Sequence, residues 1–309
     1  MRSTASETST RSPRASSPPS RRAACVRLAD VVLRSSIYKK PAHLRAMVEP
    51  GLITAAALDA VRELIAPGVT TLDLDAAASR VITGHGAVSN FQMVRGYRHT
   101  ICASVNEQVV HGIPNDRPLR AGDLLSIDAG AEFRGWNGDS AFTVVVPGDA
   151  PEDLVAPRRR LSEVTEGSLW AGIAALSRAS HLGEVSAAIQ QFIDDHAPAE
   201  GYGILRDYVG HGIGRKMHES PSVFNYRVPD RGAEVRPGLA VAIEPMVVIG
   251  DQATFVEDDG WTVSTVDGTA GSHWEHSVAV HDGGVWVLTA LDGGAEKLAP
   301  FGVVPKEID

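Results

Sequence analysis

The stretch SIDAGAEFRGWNGDSAF, residues 126–142, places two aspartates inside an apolar β-hairpin pattern. Asp128 ends the run LLSI at 124–127, and Asp139 stands just before the run AFTVVV at 141–146. Aspartate is depleted in strands, and an ionised carboxylate is costly to bury among apolar neighbours unless its charge is compensated. The hairpin therefore predicts a positively charged partner for both side chains.

The spacing of the two aspartates also suggests how the hairpin pairs. Placing Asp128 directly opposite Asp139 centres the turn near Phe133 and Arg134. In that register the two carboxylates would be cross-strand neighbours on one face, within about 5.5 Å at Cβ. We therefore expect both carboxylates to be able to contact the same positively charged partner.

Composition limits the kinds of protein that this chain can be. Its 309 residues are 43% hydrophobic and 22% charged, enough for one large domain or two ordinary ones. No apolar run approaches the roughly 18 residues of a membrane span. The net charge of −9 argues against nucleic acid as the main partner. Because Cys25 and Cys102 cannot form a disulfide framework, we predict a reducing, cytoplasmic location.

The N-terminal segment differs from the rest of the chain. Residues 1–34 contain seven arginines against two acids and are rich in Ser, Thr and Pro. Such a segment buries too little apolar surface to offset its ordering entropy, so we interpret residues 1–36 as a disordered basic extension. Three origins remain open: a solvated tail, an Arg- and Ser-rich transit peptide, or a start codon upstream of the true one.

The apolar periodicity describes helices followed by strands, in two rounds. Helices are predicted at 41–65, 71–83, 152–178 and 183–195, the third of them kinked or begun at Pro157. Strands are predicted at 101–105, 124–128, 141–146, 208–209, 239–244, 261–266, 277–280 and 285–288. This order is typical of an α+β domain.

The two rounds also resemble each other. VVHGIP (109–114) precedes LRAGDLLSID (119–128), and VGHGIG (209–214) precedes VRPGLAVAIE (235–244). Each round gives a His-Gly-Ile loop followed by a strand that ends in an acid. Chance similarity of short apolar strands is one interpretation. The other is a duplicated half-domain, whose pseudo-two-fold symmetry would bring both strand ends to a shared centre.

Five acids and histidines stand in apolar strand or glycine-loop contexts. They are Asp128, Asp139, His211, Glu244 and Glu275. Four carboxylates meeting in one cleft would carry −4 and could not all stay ionised without partners. Two divalent cations supply +4, and ions about 3.5–4 Å apart are typical of two-metal hydrolases. Oxygen-rich ligation with one imidazole suits Mn²⁺, Fe²⁺, Co²⁺ or Zn²⁺.

Five blocks of the sequence together resemble the type I methionine aminopeptidases. In order they are VNEQVVHGIP, SIDAGAEFRGWNGDSAFTV, GHGIGRKMHESP, AIEPMV and HWEHSVAV, and the resemblance spans about 41–290. It implies the pita-bread fold, in which two pseudo-symmetric α+β halves form a curved antiparallel sheet covered by helices. The catalytic domain would occupy 37–292, with 293–309 as a C-terminal tail.

The resemblance also implies roles for the five candidate ligands. Asp139 and Glu275 would bridge two divalent ions, Asp128 would hold one of them, and His211 with Glu244 would hold the other. Glu244 would also carry a proton from the attacking water to the leaving amine.

Two further histidines and an apolar pocket match the family by position. His111 and His218 would sit beside the scissile bond without binding metal. The resemblance assigns the methionine pocket to Tyr97, Cys102, Trp261, Met217 and Phe91, with Met217 where many relatives have Phe. Phe91 and Val94 stand where Cys and Tyr are commoner. His273 and His276 flank Glu275, and strand alternation is taken to point both away from the metals.

The activity implied is removal of the N-terminal methionine from new polypeptides whose second residue is small, by attack of a metal-bridging hydroxide. The implied partners are those N-termini and, transiently, the ribosome, for a monomer that binds neither membranes nor specific nucleic acid. An Xaa-Pro aminopeptidase or prolidase of the same fold is one alternative. A pita-bread binding protein without catalysis is the other.

Overall fold

The computed structural model describes residues 36–309, so the predicted basic extension lies almost wholly outside the described residues. The helices are α1 Pro41–Arg62, α2 Thr71–Gly84, α3 Glu152–Leu176, α4 Leu182–His196 and α5 Ala295–Leu298, with 3₁₀ turns at Phe91–Met93 and Ala299–Phe301. The strands are β1 Val88–Ser89, β2 Ile101–Val105, β3 Gln108–Val110, β4 Leu124–Phe133, β5 Trp136–Val145, β6 Gly203–Ile204, β7 Gly210–Gly212, β8 Glu219–Val223, β9 Ala240–Ile243, β10 Met246–Val248, β11 Thr254–Val256, β12 Val263–Thr265, β13 Gly271–His273, β14 Glu275–His281 and β15 Gly284–Val287.

The four long helices lie where the sequence predicts them, and their ends have local causes. The side chain of Thr70 accepts a hydrogen bond from the Asp73 N–H, and the Asp73 carboxylate accepts one from the Thr70 N–H, which closes a capping box on α2. Helix α3 starts at Glu152 and runs through Pro157, so the proline does not begin it. Helix α5, in the predicted C-terminal tail, buries Leu298 completely.

A nine-stranded antiparallel sheet forms the centre of the domain. Its main path runs β1-β4-β5-β14-β9-β7-β8, with β2 added to β4 and β15 added to β14. The pair β5–β14 is the midline, with β4 and β2 on one side and β9 and β7 on the other. The two similar decamers of the sequence end in β4 and in the acid directly after β9, so the two halves of the sheet correspond.

Helices cover the outer face of this sheet in two pairs. Helices α1 and α2 pack with β2 and β4 in one apolar core, which includes Leu74 and Ile127. Helices α3 and α4 pack with β9 and β14 in a second core, which includes Ile189 and Val241. Each pair buries one apolar face, which leaves the opposite face of the sheet free to form a site.

The register of the β4–β5 hairpin differs from the predicted one. Phe133 pairs with Trp136, so that Asp128 lies opposite Ala141 and Asp139 lies opposite Gly130. The prediction of a direct pair was therefore wrong by two residues. A two-residue turn fixes the observed register, because Arg134 and its neighbour Gly135 both have positive φ, 53° and 78°, as a type I′ turn requires. The two aspartates are diagonal neighbours on one face.

Short strands account for the other differences. The predicted strand at 208–209 does not form, and β7 begins at Gly210 instead. Strands β1, β3, β6, β8, β10, β11 and β13 were not predicted, and each has five residues or fewer. Segments this short carry little periodic signal, and their pairing comes from neighbours distant in sequence. No helix within residues 36–309 has the length and apolar character needed to cross a membrane.

Helix α1 approaches the sheet so closely that glycine is required at Gly51. A Cβ at this position would overlap the carbonyl oxygen of Leu288, and the Cα of Gly51 would lie 2.8 Å from a Cβ built on Gly138 of β5. The contact couples α1 to both β5 and the segment after β15. The paired glycines thus set the spacing between the helix layer and the sheet.

We predict that Gly51→Ala lowers the free energy of unfolding by about 1–3 kcal/mol, because the added methyl group displaces backbone. Alanine is otherwise the better helix former by about 1 kcal/mol, so helix propensity alone would make the variant more stable. A loss of stability therefore indicates the close contact. Gly84→Ala, at the last residue of α2, is the matched control, since nothing lies within 4 Å of its Cβ. Urea unfolding measures both, and equal stabilities for the two variants would contradict the close packing.

Candidate metal centre

Five neighbouring strands each bring one candidate ligand to the same place. Asp128 lies in β4, Asp139 in β5, Glu275 at the start of β14, Glu244 directly after β9 and His211 in β7. These strands are consecutive in the sheet, in the order β4-β5-β14-β9-β7. Residues from both halves of the chain therefore meet across the midline.

The strand register places these side chains on one face. Asp128 pairs with Ala141, which in turn pairs with Glu275. One row away, His211 pairs with Ala242. Because alternate residues of a strand share a face, all five candidate ligands project to the side of the sheet opposite the helices. Between them stand only small residues, Gly130, Ala141, Ala242 and Ser277, which leave room above the sheet.

The ligand atoms come close enough to hold metal ions. Asp139, His211 and Glu275 form one group, and Glu244, His273 and Glu275 form a second, with the atoms of each group within 4.8 Å of one another. Glu275 belongs to both groups. A carboxylate shared between two ligand sets is the arrangement expected where two ions are bridged.

Several of these polar atoms are buried without a partner. Asp128 Oδ1, Asp139 Oδ1 and Glu275 Oε1 have no hydrogen-bond partner within the described part of the chain, nor has His273 Nε2. Buried polar atoms are normally hydrogen-bonded, and an unsatisfied carboxylate oxygen is costly. The chemistry of this set, oxygen-rich with imidazole, fits divalent cations.

Burial sets the charge of the four carboxyl groups. Loss of solvent raises the pKa of Asp128 and of Glu244 to about 7. Burial, with the nearby carboxylates as the second cause, raises the pKa of Asp139 and of Glu275 well above the usual range. The four groups cannot all ionise without added positive charge, and divalent cations supply that charge.

His211 is oriented as a ligand. Its Nδ1 lies 3.0 Å from the carbonyl oxygen of Gly212, to which a neutral ring would donate, and its Nε2 lies 3.4 Å from Glu244 Oε1. Burial lowers the pKa of His211, which favours the neutral imidazole that metals require. A backbone carbonyl on the other ring nitrogen is the usual way of holding a ligating histidine.

His111 and His218 line the same cavity from outside the ligand groups. His111 has a φ of 60°, and the N–H of the following Gly112 donates to Ser104 Oγ, which holds the strained loop in place. Burial lowers the pKa of His111 to about 4. His218 is exposed at the rim, and its ring meets that of His211 edge-on, with centroids 4.3 Å apart.

The residues assigned to the methionine pocket form one apolar cluster beside the carboxylates. The cluster contains Phe91, Tyr97 and Cys102, with Met217 and Trp261 packed against it. The rings of Tyr97 and Trp261 are 5.1 Å apart in an edge-on arrangement, and the Tyr97 hydroxyl donates to the Ile101 carbonyl. These side chains and the candidate ligands line a single cavity of about 350 Å³.

Several residues that line this cavity were missed in the sequence, and His273 is one of them. His273 was expected to point away from the metals, but it lies two residues from Glu275 and therefore shares its face, so that prediction was wrong. His276 does point away: its Nδ1 lies 2.8 Å from Thr289 Oγ1 on the helix side, and its ring packs on Trp170. Counting alternate residues back from Glu275 would have placed His273 on the same face as this acid.

Comparison with known proteins places the chain in a family. Residues 45–282 match the model of metallopeptidase family M24. Methionine aminopeptidase 1 of Mycobacterium tuberculosis is 45% identical over 250 residues, covering 80% of this chain and 92% of the relative. Methionine aminopeptidase 1 of Bacillus subtilis is 40% identical over 255 residues, which cover 82% of this chain and 99% of the relative.

Solved structures agree with this assignment. The methionine aminopeptidase of Thermotoga maritima superposes with a TM-score of 0.76 at 36% identity, covering 82% of this chain and 98% of that one. The prolidase of Pyrococcus furiosus reaches a TM-score of 0.63 at 20% identity, covering 82% of this chain and 65% of its own, and shares the fold alone. The fold is thus the pita-bread fold that the resemblance implied. The chain belongs to metallopeptidase family M24 and, within it, to the methionine aminopeptidases.

Proposed function

We propose that this chain is a metal-dependent aminopeptidase that removes an N-terminal methionine when the second residue is small. The observation that carries the proposal is the single cavity in which buried carboxylate oxygens, without hydrogen-bond partners among residues 36–309, stand beside an apolar pocket. Relatives at 40–45% identity are named methionine aminopeptidases, which supports the same reaction for this chain.

Five side chains would hold two divalent ions: Asp128, Asp139, His211, Glu244 and Glu275. Ions bound there would polarise the scissile carbonyl and lower the pKa of a water molecule, which supplies the nucleophile. The donor set admits Mn²⁺, Fe²⁺, Co²⁺ or Zn²⁺. The sharing of Glu275 between two ligand groups supports two ions rather than one.

The chain's own residues would move protons and orient the peptide. Glu244 faces the cavity beside His211 and takes the proton of the attacking water, then passes it to the leaving amine. His111, whose lowered pKa keeps it neutral, hydrogen-bonds the scissile amide or the adjoining backbone. His218, at the rim, donates to the oxygen on which negative charge develops.

The apolar cluster would select the side chain that is removed. Phe91, Tyr97 and Trp261 provide aromatic walls, and Cys102 and Met217 add polarisable sulfur. Sulfur and aromatic surfaces suit a thioether, so methionine is the side chain that this pocket favours. A cavity of about 350 Å³ is at the small end of ligand pockets, which fits one residue rather than an extended peptide.

The substrates would be the N-termini of newly made polypeptides. We further infer that the protein is a monomer and that it lies in the cytoplasm. The low cysteine content supports the cytoplasmic location. Transient contact with the ribosome is supported by the seven arginines of residues 1–34, since basic segments bind phosphate-rich surfaces.

Release of free methionine from Met-Ala-Ser tests the proposal directly. The metal-loaded protein should cleave this peptide and should fail on the matched peptide Met-Leu-Ser, because the second side chain is too large. A prolidase or Xaa-Pro aminopeptidase would instead cleave Ala-Pro or Ala-Pro-Ser. Cleavage of only the proline peptides, or of none, would overturn the proposed function.

We predict that Asp139→Asn abolishes both metal binding and activity. In the wild type, Mn²⁺ at 100 times its Kd should raise the free energy of unfolding by about 2.7 kcal/mol through linkage. The variant should show no such increase, because the amide cannot neutralise the cation. Asp149→Asn, an exposed carboxylate outside the cavity, is the control and should keep the full increase.

His111→Ala is expected to separate chemistry from metal binding. Turnover of Met-Ala-Ser should fall by about 10²–10⁴-fold, the scale of a lost proton donor or acceptor. Its metal-induced stabilisation should match that of the wild type. His85→Ala, at the exposed end of α2, should change neither quantity. If His111→Ala turned over substrate at the wild-type rate, the role given to this residue would be wrong.

A further inference from the structure

His273 is held rigidly at the end of β13. Its backbone N–H donates to Thr143 Oγ1 at 2.9 Å, and its carbonyl accepts from the same hydroxyl at 2.7 Å. The residue is only 2% exposed. The backbone of His273 is therefore fixed, and its side chain lines the cavity of the metal centre.

The ring nitrogen Nε2 of His273 lies near two carboxylates but is bonded to neither. It is 3.7 Å from Glu244 Oε2 and 3.9 Å from Glu275 Oε2. Hydrogen bonds from N–H to O span about 2.7–3.2 Å, so both separations are too long. Two ligand atoms that each lie about 2.1 Å from one ion are about 3.0–4.2 Å apart, and both separations fall within that range.

The same geometry occurs on the other side of Glu244. His211 Nε2 is 3.4 Å from Glu244 Oε1, so each carboxylate oxygen of Glu244 faces one imidazole. The two ligand groups, Asp139-His211-Glu275 and Glu244-His273-Glu275, contain one imidazole each. His273 thus occupies in the second group the place that His211 occupies in the first.

We propose that His273 is a sixth protein ligand of the metal centre, binding through Nε2 the ion that Glu244 and Glu275 also contact. The inference rests on the proposed metal-dependent function and adds a residue to its ligand set. Binding a cation would also give a partner to a buried nitrogen that has none among residues 36–309.

A second imidazole changes which metals the centre favours. Imidazole suits Zn²⁺, Co²⁺ and Fe²⁺, whereas carboxylate-only sets suit Mn²⁺. Replacing His273 should therefore weaken Zn²⁺ and Co²⁺ binding more than Mn²⁺ binding. A structural histidine that only fills space would show no such dependence on the metal.

The competing explanation is that His273 merely donates a hydrogen bond to a carboxylate. His273→Gln distinguishes the two, because the glutamine amide keeps an N–H donor but lacks the imidazole nitrogen. His273→Ala is the second variant and removes both capacities. His276→Gln is the matched control, since that ring lies in β14, points to the helix side of the sheet and contacts Thr289 and Trp170.

Titration calorimetry with Zn²⁺, Co²⁺ and Mn²⁺ provides the first measurement. We expect His273→Gln and His273→Ala to bind one of the two Zn²⁺ or Co²⁺ ions more than about 100-fold more weakly than wild type, beyond the roughly 10–100-fold that loss of a hydrogen-bond partner of a ligand costs, with a smaller change for Mn²⁺. His276→Gln should bind all three metals as wild type does.

Proton NMR of the Co²⁺-loaded wild type is the second measurement and needs no variant to fold. Each coordinated imidazole gives one strongly shifted, exchangeable ring N–H signal, so the inference requires two. Wild-type affinities in both His273 variants together with a single signal would overturn the role of His273. A wild type that binds no divalent ion would instead overturn the proposed function.

Discussion

The structure depends on keeping four carboxyl groups buried in one place. Each of them is individually unfavourable in an apolar environment, and together they repel one another, as the raised pKa values of Asp139 and Glu275 reflect. Such a cluster is stable in its ionised form only if cations join it. The rest of the fold can be understood as the framework that holds these groups against their mutual repulsion.

That framework is a sheet with matching halves. The pair β5–β14 forms the midline, and β4 and β9 flank it on either side. Helix pairs cover one face, and small residues such as Ala141 and Ala242 keep the other face open above the ligands. Rigid strands suit this role, because ligand atoms must be held to within a few tenths of an ångström.

Function follows from what surrounds the acids. The apolar cluster around Tyr97 and Trp261 lines the same cavity as the acids, and so do His111 and His218. Because the acids and the apolar cluster line one cavity, that cavity can bind the polar backbone and the apolar side chain of a single residue at once. This combination, rather than the metal ligands alone, favours an aminopeptidase for methionine over other peptidases of the same fold.

The amino-acid sequence by itself determined the chemistry and the general architecture. Acids within apolar strands, the repeated His-Gly-Ile loops and the capping signals of α2 are local features, and local physics suffices to interpret them. The hairpin register, which a type I′ turn at Arg134 and Gly135 sets, and the face of His273, two residues before Glu275, are also local features, and both could have been counted from the sequence. Only the tertiary structure decided that ligands from both halves of the chain meet in one cavity with the apolar cluster. It also decided which short strands form. These depend on contacts between residues far apart in the chain, and a linear pattern does not contain such distances.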